Sequence, residues 1–213
     1  MDNLYENTNW DDSIPMRPGG IELTEKLVDI SGIKRGVFLD FGCGEGHTSN
    51  YLINKNFDVI GTDKSEVLIK KAMTRYPDVK FIISEDIDIL KFQNKFDGVI
   101  SECVISTFSN VKEVISKVHS LLKYNGVFII NDIMALIKKE SNNFFTFNEW
   151  IEVLNTSGFK IIYFEDNTLE LKKFYLKNLW EKQTNCMADC IPKGYKASEI
   201  LCPISNIFTQ PDK

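Results

Sequence analysis

Six short runs rich in Val, Ile and Phe punctuate the chain, and between them apolar residues recur every three or four positions. The runs are GVFLDFG (36–42), FDVIGTD (57–63), VKFIISED (79–86), FDGVISECV (96–104), VFIINDI (127–133) and KIIYFED (160–166). They are near-continuous rather than alternating, as strands are when helices cover both faces of a sheet. The intervening pattern predicts helices. One carries Ile21, Leu23, Leu27, Val28 and Ile30 and is closed by Gly32. Others span 47–56 and 65–76, then 110–126 with Asn110 as cap and Asn125-Gly126 as stop. A helix from Thr146 to Gly158 and another carrying Leu169, Leu171, Phe174, Leu176 and Leu179 follow. Strand and helix in strict alternation predict an α/β, Rossmann-like, doubly wound sheet, mostly parallel, with helices on both faces. We expect a flexible arm over 1–16 and one domain over 17–184. The tail, 185–213, has no clear period and holds three of the five cysteines and three of the six prolines.

Composition narrows the partners. The 213 residues are 43% hydrophobic and 26% charged, which suits a single self-folding core. A net charge of -5 and the lack of a basic stripe argue against nucleic acid. No apolar run reaches membrane-spanning length, and the start MDNLYENTNWDD is acidic, unlike a signal peptide, so a cytoplasmic protein without a membrane partner is expected. An odd, scattered set of cysteines reads as thiols rather than a disulfide framework.

The first strand runs into DFGCGEG, which is D-x-G-x-G-x-G from Asp40 through Gly42, Gly44 and Gly46. At a strand end of this fold, bare backbone lets a ligand approach the main chain, and the following helix start favours a negative group. A dinucleotide fingerprint would place its third glycine at 47, where the chain has His47. An acid at position 40 would repel phosphate and suit an amine next to a carboxylate, as in the methionine end of S-adenosylmethionine. Asp63, at the second strand end, is suited to the two hydroxyls of a ribose, in this cofactor or in NAD. After the third strand, Asp86 is placed to accept from an adenine amino group while the amide of Ile87 donates to the ring.

In these segments the chain resembles class I S-adenosylmethionine-dependent methyltransferases of the bacterial small-molecule type. LDFGCGEG, VIGTDKS, SEDID, FDGVISECV and LLKYNGVFIIND stand as the family's successive motifs, over about residues 15–165. The resemblance implies S-adenosyl-L-methionine as cofactor and assigns its site. Main chain at Gly42, Cys43 and Gly44 would take the methionine part, Asp40 its amine, Asp63 the ribose, and Asp86 and Ile87 the adenine, with Lys64 a further cofactor contact. Ser101 and Glu102 would line the floor near the sulfonium. RPGGIELT resembles an N-terminal segment that folds over the cofactor, which would bring Arg17 to the methionine carboxylate.

The acceptor is less legible, because in-line methyl transfer needs alignment more than a catalytic signature. Ser101-Glu102-Cys103-Val104 replaces the Asn/Asp-Pro-Pro-aromatic of enzymes acting on amide or adenine nitrogens. With only His47 and His119, no metal site is expected. SECVISTF resembles the strand of arsenite methyltransferases that carries a metalloid-binding cysteine. Cys103, with Cys186, Cys190 and Cys202 of the tail, therefore offers a thiophilic alternative to a small-molecule acceptor; the other reading of Cys103 is a small buried hydrophobe. His47 and the aromatic stretch with Phe144, Phe145, Phe147 and Trp150 are candidate acceptor contacts, or else a helix start and ordinary core packing. A module that binds the cofactor without turnover and an NAD-dependent oxidoreductase are the rival classes.

Overall fold

A computed structural model describes residues 15–84, 92–138, 144–180 and 200–209. Among these, seven strands form one sheet: β1 (Val37–Phe41), β2 (Asp58–Asp63), β3 (Lys80–Ile83), β4 (Phe96–Glu102), β5 (Leu122–Ala135), β6 (Lys160–Asp166) and β7 (Ile200–Thr209). Their order is β3-β2-β1-β4-β5-β7-β6, with β1 to β5 parallel to one another and β7 antiparallel to both β5 and β6. The winding reverses between β1 and β4, which is where an open parallel sheet leaves a crevice for ligands.

The helices are α1 (Gly20–Ser31), α2 (His47–Asn54), α3 (Glu66–Arg75), α4 (Val111–Leu121), α5 (Phe147–Thr156) and α6 (Thr168–Trp180). Strand alternation divides the core in two. Phe38, Ile100, Val127 and Ile129 pack with Leu23, Leu27, Leu52 and Ile69 of α1, α2 and α3. Leu39, Val99, Phe128 and Ile130 pack with Ile115, Val118, Trp150 and Leu154 of α4 and α5. Each such side chain, removed from water, stabilises by about 1.5–3 kcal/mol before entropy is counted. The predicted helix limits hold at their capped ends. Asn110 accepts from the Glu113 amide, and Thr146 and Glu149 form a reciprocal capping box.

Two expectations need correction. The fourth predicted helix does not run to Asn125-Gly126; it ends at Leu121. The carbonyls of Ser120 and Leu121 accept from Asn94 and Lys95, so they are not available to a further helical turn, and Leu122 pairs with Phe96 at the start of β5. The second concerns the tail, where no element was expected. Residues 200–209 supply β7, inserted between β5 and β6. Pro203 falls within the register shift between the pairs Asp132↔Ile204 and Met134↔Leu201, where a missing N–H breaks no regular ladder. The arm up to residue 14, the stretch 85–91 with Asp86 and Ile87, and 181–199 with Cys186 and Cys190 lie outside the described residues.

Candidate active site

The carboxyl ends of β1, β2 and β4 converge on the loop 42–46. Gly42 and Cys43 donate their amides to the Thr62 carbonyl at 2.8 and 2.9 Å, which draws the loop over the end of β2. Gly42 has φ 81, and a Cβ there would lie 2.3 Å from Cγ2 of Val104, so both the angle and the close approach demand glycine. Gly44 has φ 52 and nothing within 4 Å of where its Cβ would stand. Its main chain is open on that side, the property a ligand cradle needs.

Asp63 stabilises this cradle. One carboxylate oxygen accepts from the Gly44 amide and the other from the Ser65 amide, both at 2.9 Å. The Ser65 side chain in turn caps α3. Lys64 between them is exposed. Asp40 is 3% exposed and accepts from Ser49 Oγ at 2.6 Å. Burial pushes its pKa up to about 7, with Glu102 and Asp63 adding to the rise and Ser49 and Arg17 opposing it. Cys43 belongs to the core under α1 and α2, and burial raises its thiol well above the usual range, so it is its main chain that meets the cradle.

Arg17 and Glu102 meet in a nearly closed cluster. The guanidinium lies 3.0 Å from the Glu102 carboxylate, with 10% and 5% of the two side chains exposed. Thr24 of α1 and Thr48 of α2 each accept from Arg17, at 2.6 and 2.9 Å. They then donate to Glu102 at 2.8 and 2.6 Å. This hub fastens α1, α2 and the segment before α1 to the end of β4. Arg17 Nε is buried and unpartnered.

Ser101 is fully buried with its hydroxyl unpartnered. Cys103 is half-buried in the left-handed region, φ 58, its amide bonded to the Asn131 carbonyl at 2.7 Å. Burial and the nearby Asp132 hold its thiol protonated, far above ordinary pH. Asp132, itself buried and raised by that burial, accepts from the Ser106 amide, Ser106 Oγ and the Ile133 amide, and so fixes the turn after β4. Asn131 is 0% exposed, and both polar atoms of its amide lack a partner.

Of the expected residues, Arg17, Asp40, Gly42, Gly44, Asp63 and Glu102 are thus brought together around one loop, with Ser101 and Cys103 at its β4 side. His47 does begin α2; its ring lies 3.0 Å from the Tyr76 hydroxyl and 3.3 Å from Arg75. An open groove of about 960 Å³ includes Arg17, His47, Tyr51, Tyr76, Glu170 and Phe174 in its walls. Phe144 is partly buried before α5, and Trp150 is a core side chain, 2% exposed and edge-on to Phe145, with its indole N–H unpartnered. The side chain of Cys202 is outside the described residues, and among these no group of three His, Cys, Asp or Glu is placed to hold a metal. Thr24, Thr48, Asn131 and Asp132 were not anticipated. For the last two a signal existed, a polar pair ending the apolar run VFII; for the threonines on helices there was none.

Comparison with known proteins supports the same reading. A family model described as a methyltransferase domain matches residues 34–187. Methyltransferase 235L of Invertebrate iridescent virus 6 is 30% identical over 158 residues, 66% of this chain and 58% of that protein. The phosphoethanolamine N-methyltransferase of Triticum aestivum is 26% identical over 185 residues, 78% of this chain but 36% of the wheat enzyme. The chain therefore spans only about a third to three-fifths of these relatives' length. Among solved structures, phosphoethanolamine N-methyltransferase 2 of Haemonchus contortus, in complex with phosphomonomethylethanolamine and S-adenosylhomocysteine, superposes with a TM-score of 0.74 at 19% identity, covering 92% of this chain and 54% of that one. Since the family match runs through most of the sheet and all of the glycine loop, the chain belongs to the methyltransferase domain family.

Proposed function

We propose that the protein transfers a methyl group from S-adenosyl-L-methionine to a small-molecule acceptor in the cytoplasm, with the cofactor lying across Gly42–Gly44. The observation that carries this reading is the open main chain of Gly44, tied by its amide to a carboxylate at the end of β2. In this reading Asp63 accepts from the ribose hydroxyls while holding the loop. Asp40, ionised, faces the amine, Arg17 offers its unpartnered Nε to the carboxylate, and Asp86 and Ile87 take the adenine. Ser101, Glu102 and Cys103 form the floor toward the acceptor.

When bound, the cofactor supplies an electrophilic methyl on a sulfonium. The chain's own part is alignment and exclusion of water, which suits a floor with few titrating groups exposed. The thiophilic alternative requires thiolates, and the protonated thiol of Cys103 favours the small-molecule reading over it. Relatives and fold neighbours with small-molecule acceptors, such as the phosphoethanolamine enzymes, support the same class.

Calorimetry with S-adenosylhomocysteine and, separately, NAD tests the proposal. Binding of the first and not the second is expected; binding of NAD alone overturns it.

A further inference from the structure

Asn131 stands out among the buried polar groups because it leaves a whole side-chain amide unpaired. It lies where the pairing of β5 with β4 ends, opposite Glu102 in the parallel register. Strand alternation puts it on the face of Ile129 and Val127, the side of α1 and α2 that also holds Asp40 and Glu102. Neither its Nδ2 nor its Oδ1 has a partner, at 0% exposure. A buried amide without partners is destabilising, whereas an apolar residue of similar volume there would be neutral or better. A polar group held on those terms beside the end of β4 is explained by a ligand that completes its bonds.

The surrounding charge restricts that ligand. Glu102 lies beside Asn131 across the strands, Asp132 follows it in the chain, and Asp40 shares its face, while Arg17 is taken up by Glu102. Burial is the main cause of the raised Cys103 thiol and Asp40 carboxyl, and carboxylates add to both: Asp132 and Glu102 for the thiol, Glu102 and Asp63 for Asp40. Such a field disfavours a phenolate, thiolate or carboxylate at the reacting position and favours a group that arrives as a cation.

Resting on the methyltransferase reading above, we infer that the methyl acceptor is the nitrogen of a small aliphatic amine, and that Asn131 is the positioning residue that orients it. The amine loses its proton to bulk water before transfer. Asn131 Oδ1 accepts one remaining N–H, which directs the lone pair toward the methyl carbon. The N–C bond forms as the C–S bond breaks, and the electron pair of that bond stays on sulfur. The resulting ammonium returns its extra proton to water. Asn131 Nδ2 is left to donate to an oxygen elsewhere on the acceptor.

The test measures S-adenosylhomocysteine formation by the full chain with matched probes: ethanolamine and glycine, ethylene glycol and glycolate, 2-mercaptoethanol and thioglycolate. Only the amines are expected to be methylated, with kcat/KM rising with pH toward the pKa of the amine. Asn131→Leu is expected to fold with an unchanged or higher Tm, to bind S-adenosylhomocysteine within threefold of the parent, and to lose at least 100-fold in kcat/KM for the amines. Asn131→Asp, which keeps an acceptor for the N–H, is expected to retain turnover within tenfold. Methylation confined to hydroxyl or thiol probes, no methylation of any probe, or undiminished amine turnover in Asn131→Leu overturns the inference. Failure of the parent to bind S-adenosylhomocysteine is a distinct result, and strikes the underlying reading instead.

Discussion

Replacing Asp63 with Ala removes both jobs assigned to one carboxylate, and the two losses can be read separately. In the unliganded chain the Gly44 and Ser65 amides lose acceptors at 2.9 Å. Hydrogen bonds to a charged partner contribute about 1.5–3 kcal/mol each, and at this half-exposed site water recovers part of that, so a stability loss of about 1–3 kcal/mol is expected. On binding, two further charge-assisted bonds to the ribose hydroxyls are lost, together about 3–6 kcal/mol, which at 1.4 kcal/mol per decade is at least a 100-fold rise in the S-adenosylhomocysteine Kd. Titration calorimetry on the folded variant, with a urea melt in parallel, separates the effects. Asp63→Asn, which keeps one acceptor oxygen and loses the charge, should fall between. A folded Asp63→Ala protein that binds within threefold of the parent would falsify the placement of the ribose.

Asp40 gives a pH signature. Its carboxyl is near its ordinary value when unfolded and at about 7 when buried, so between roughly pH 4 and 7 the native state holds a proton that the unfolded state has released. The stability this provides is complete below pH 4 and is lost as pH rises through 7, by roughly 4 kcal/mol for about three units. The difference in melting free energy between the parent and Asp40→Asn should follow that window, and a flat difference from pH 4 to 8 refutes it. Because the ionised form meets the cofactor amine, S-adenosylhomocysteine affinity should weaken about tenfold per unit below pH 7 in the parent alone. Gly42→Ala should cost about 2–5 kcal/mol in a urea melt, from the left-handed backbone and the Val104 clash, and Val104→Ala should recover part of it. Cys103→Ser should keep methyl transfer to small-molecule acceptors within a few-fold, measured as S-adenosylhomocysteine released; abolished transfer with intact cofactor affinity would restore the thiophilic alternative.

What could be read in advance follows from which interactions are local. Glycines at fixed offsets from an acid, caps such as Thr146 with Glu149, and buried strands with unbroken apolar runs are written in consecutive residues. They made the fold legible, and the neighbourhood of Asp63 and the glycine loop with it. The Arg17 hub was half legible: the sequence offered Arg17 and Glu102 but gave no sign that they bond to each other through Thr24 and Thr48, since these meet only when α1 and α2 dock against β4. The end of α4 was misjudged because it depends on Asn94 and Lys95 capturing two carbonyls from another part of the chain. β7 was missed for a similar reason. A strand with Pro203, Ser205 and Asn206 has weak propensity of its own, and neighbours on both sides stabilise it.

That strand sets an order on biosynthesis. β5 and β6 have no partner in each other, and each waits for residues 200–209 before its inner edge is covered. While the ribosome is still adding those residues, two open ladders face the cell with Val127–Ile130 on one of them, a segment well suited to pairing with foreign strands. Chains stopped just short of residue 200 should therefore collect in aggregates, and a late-acting chaperone would find its client in that interval.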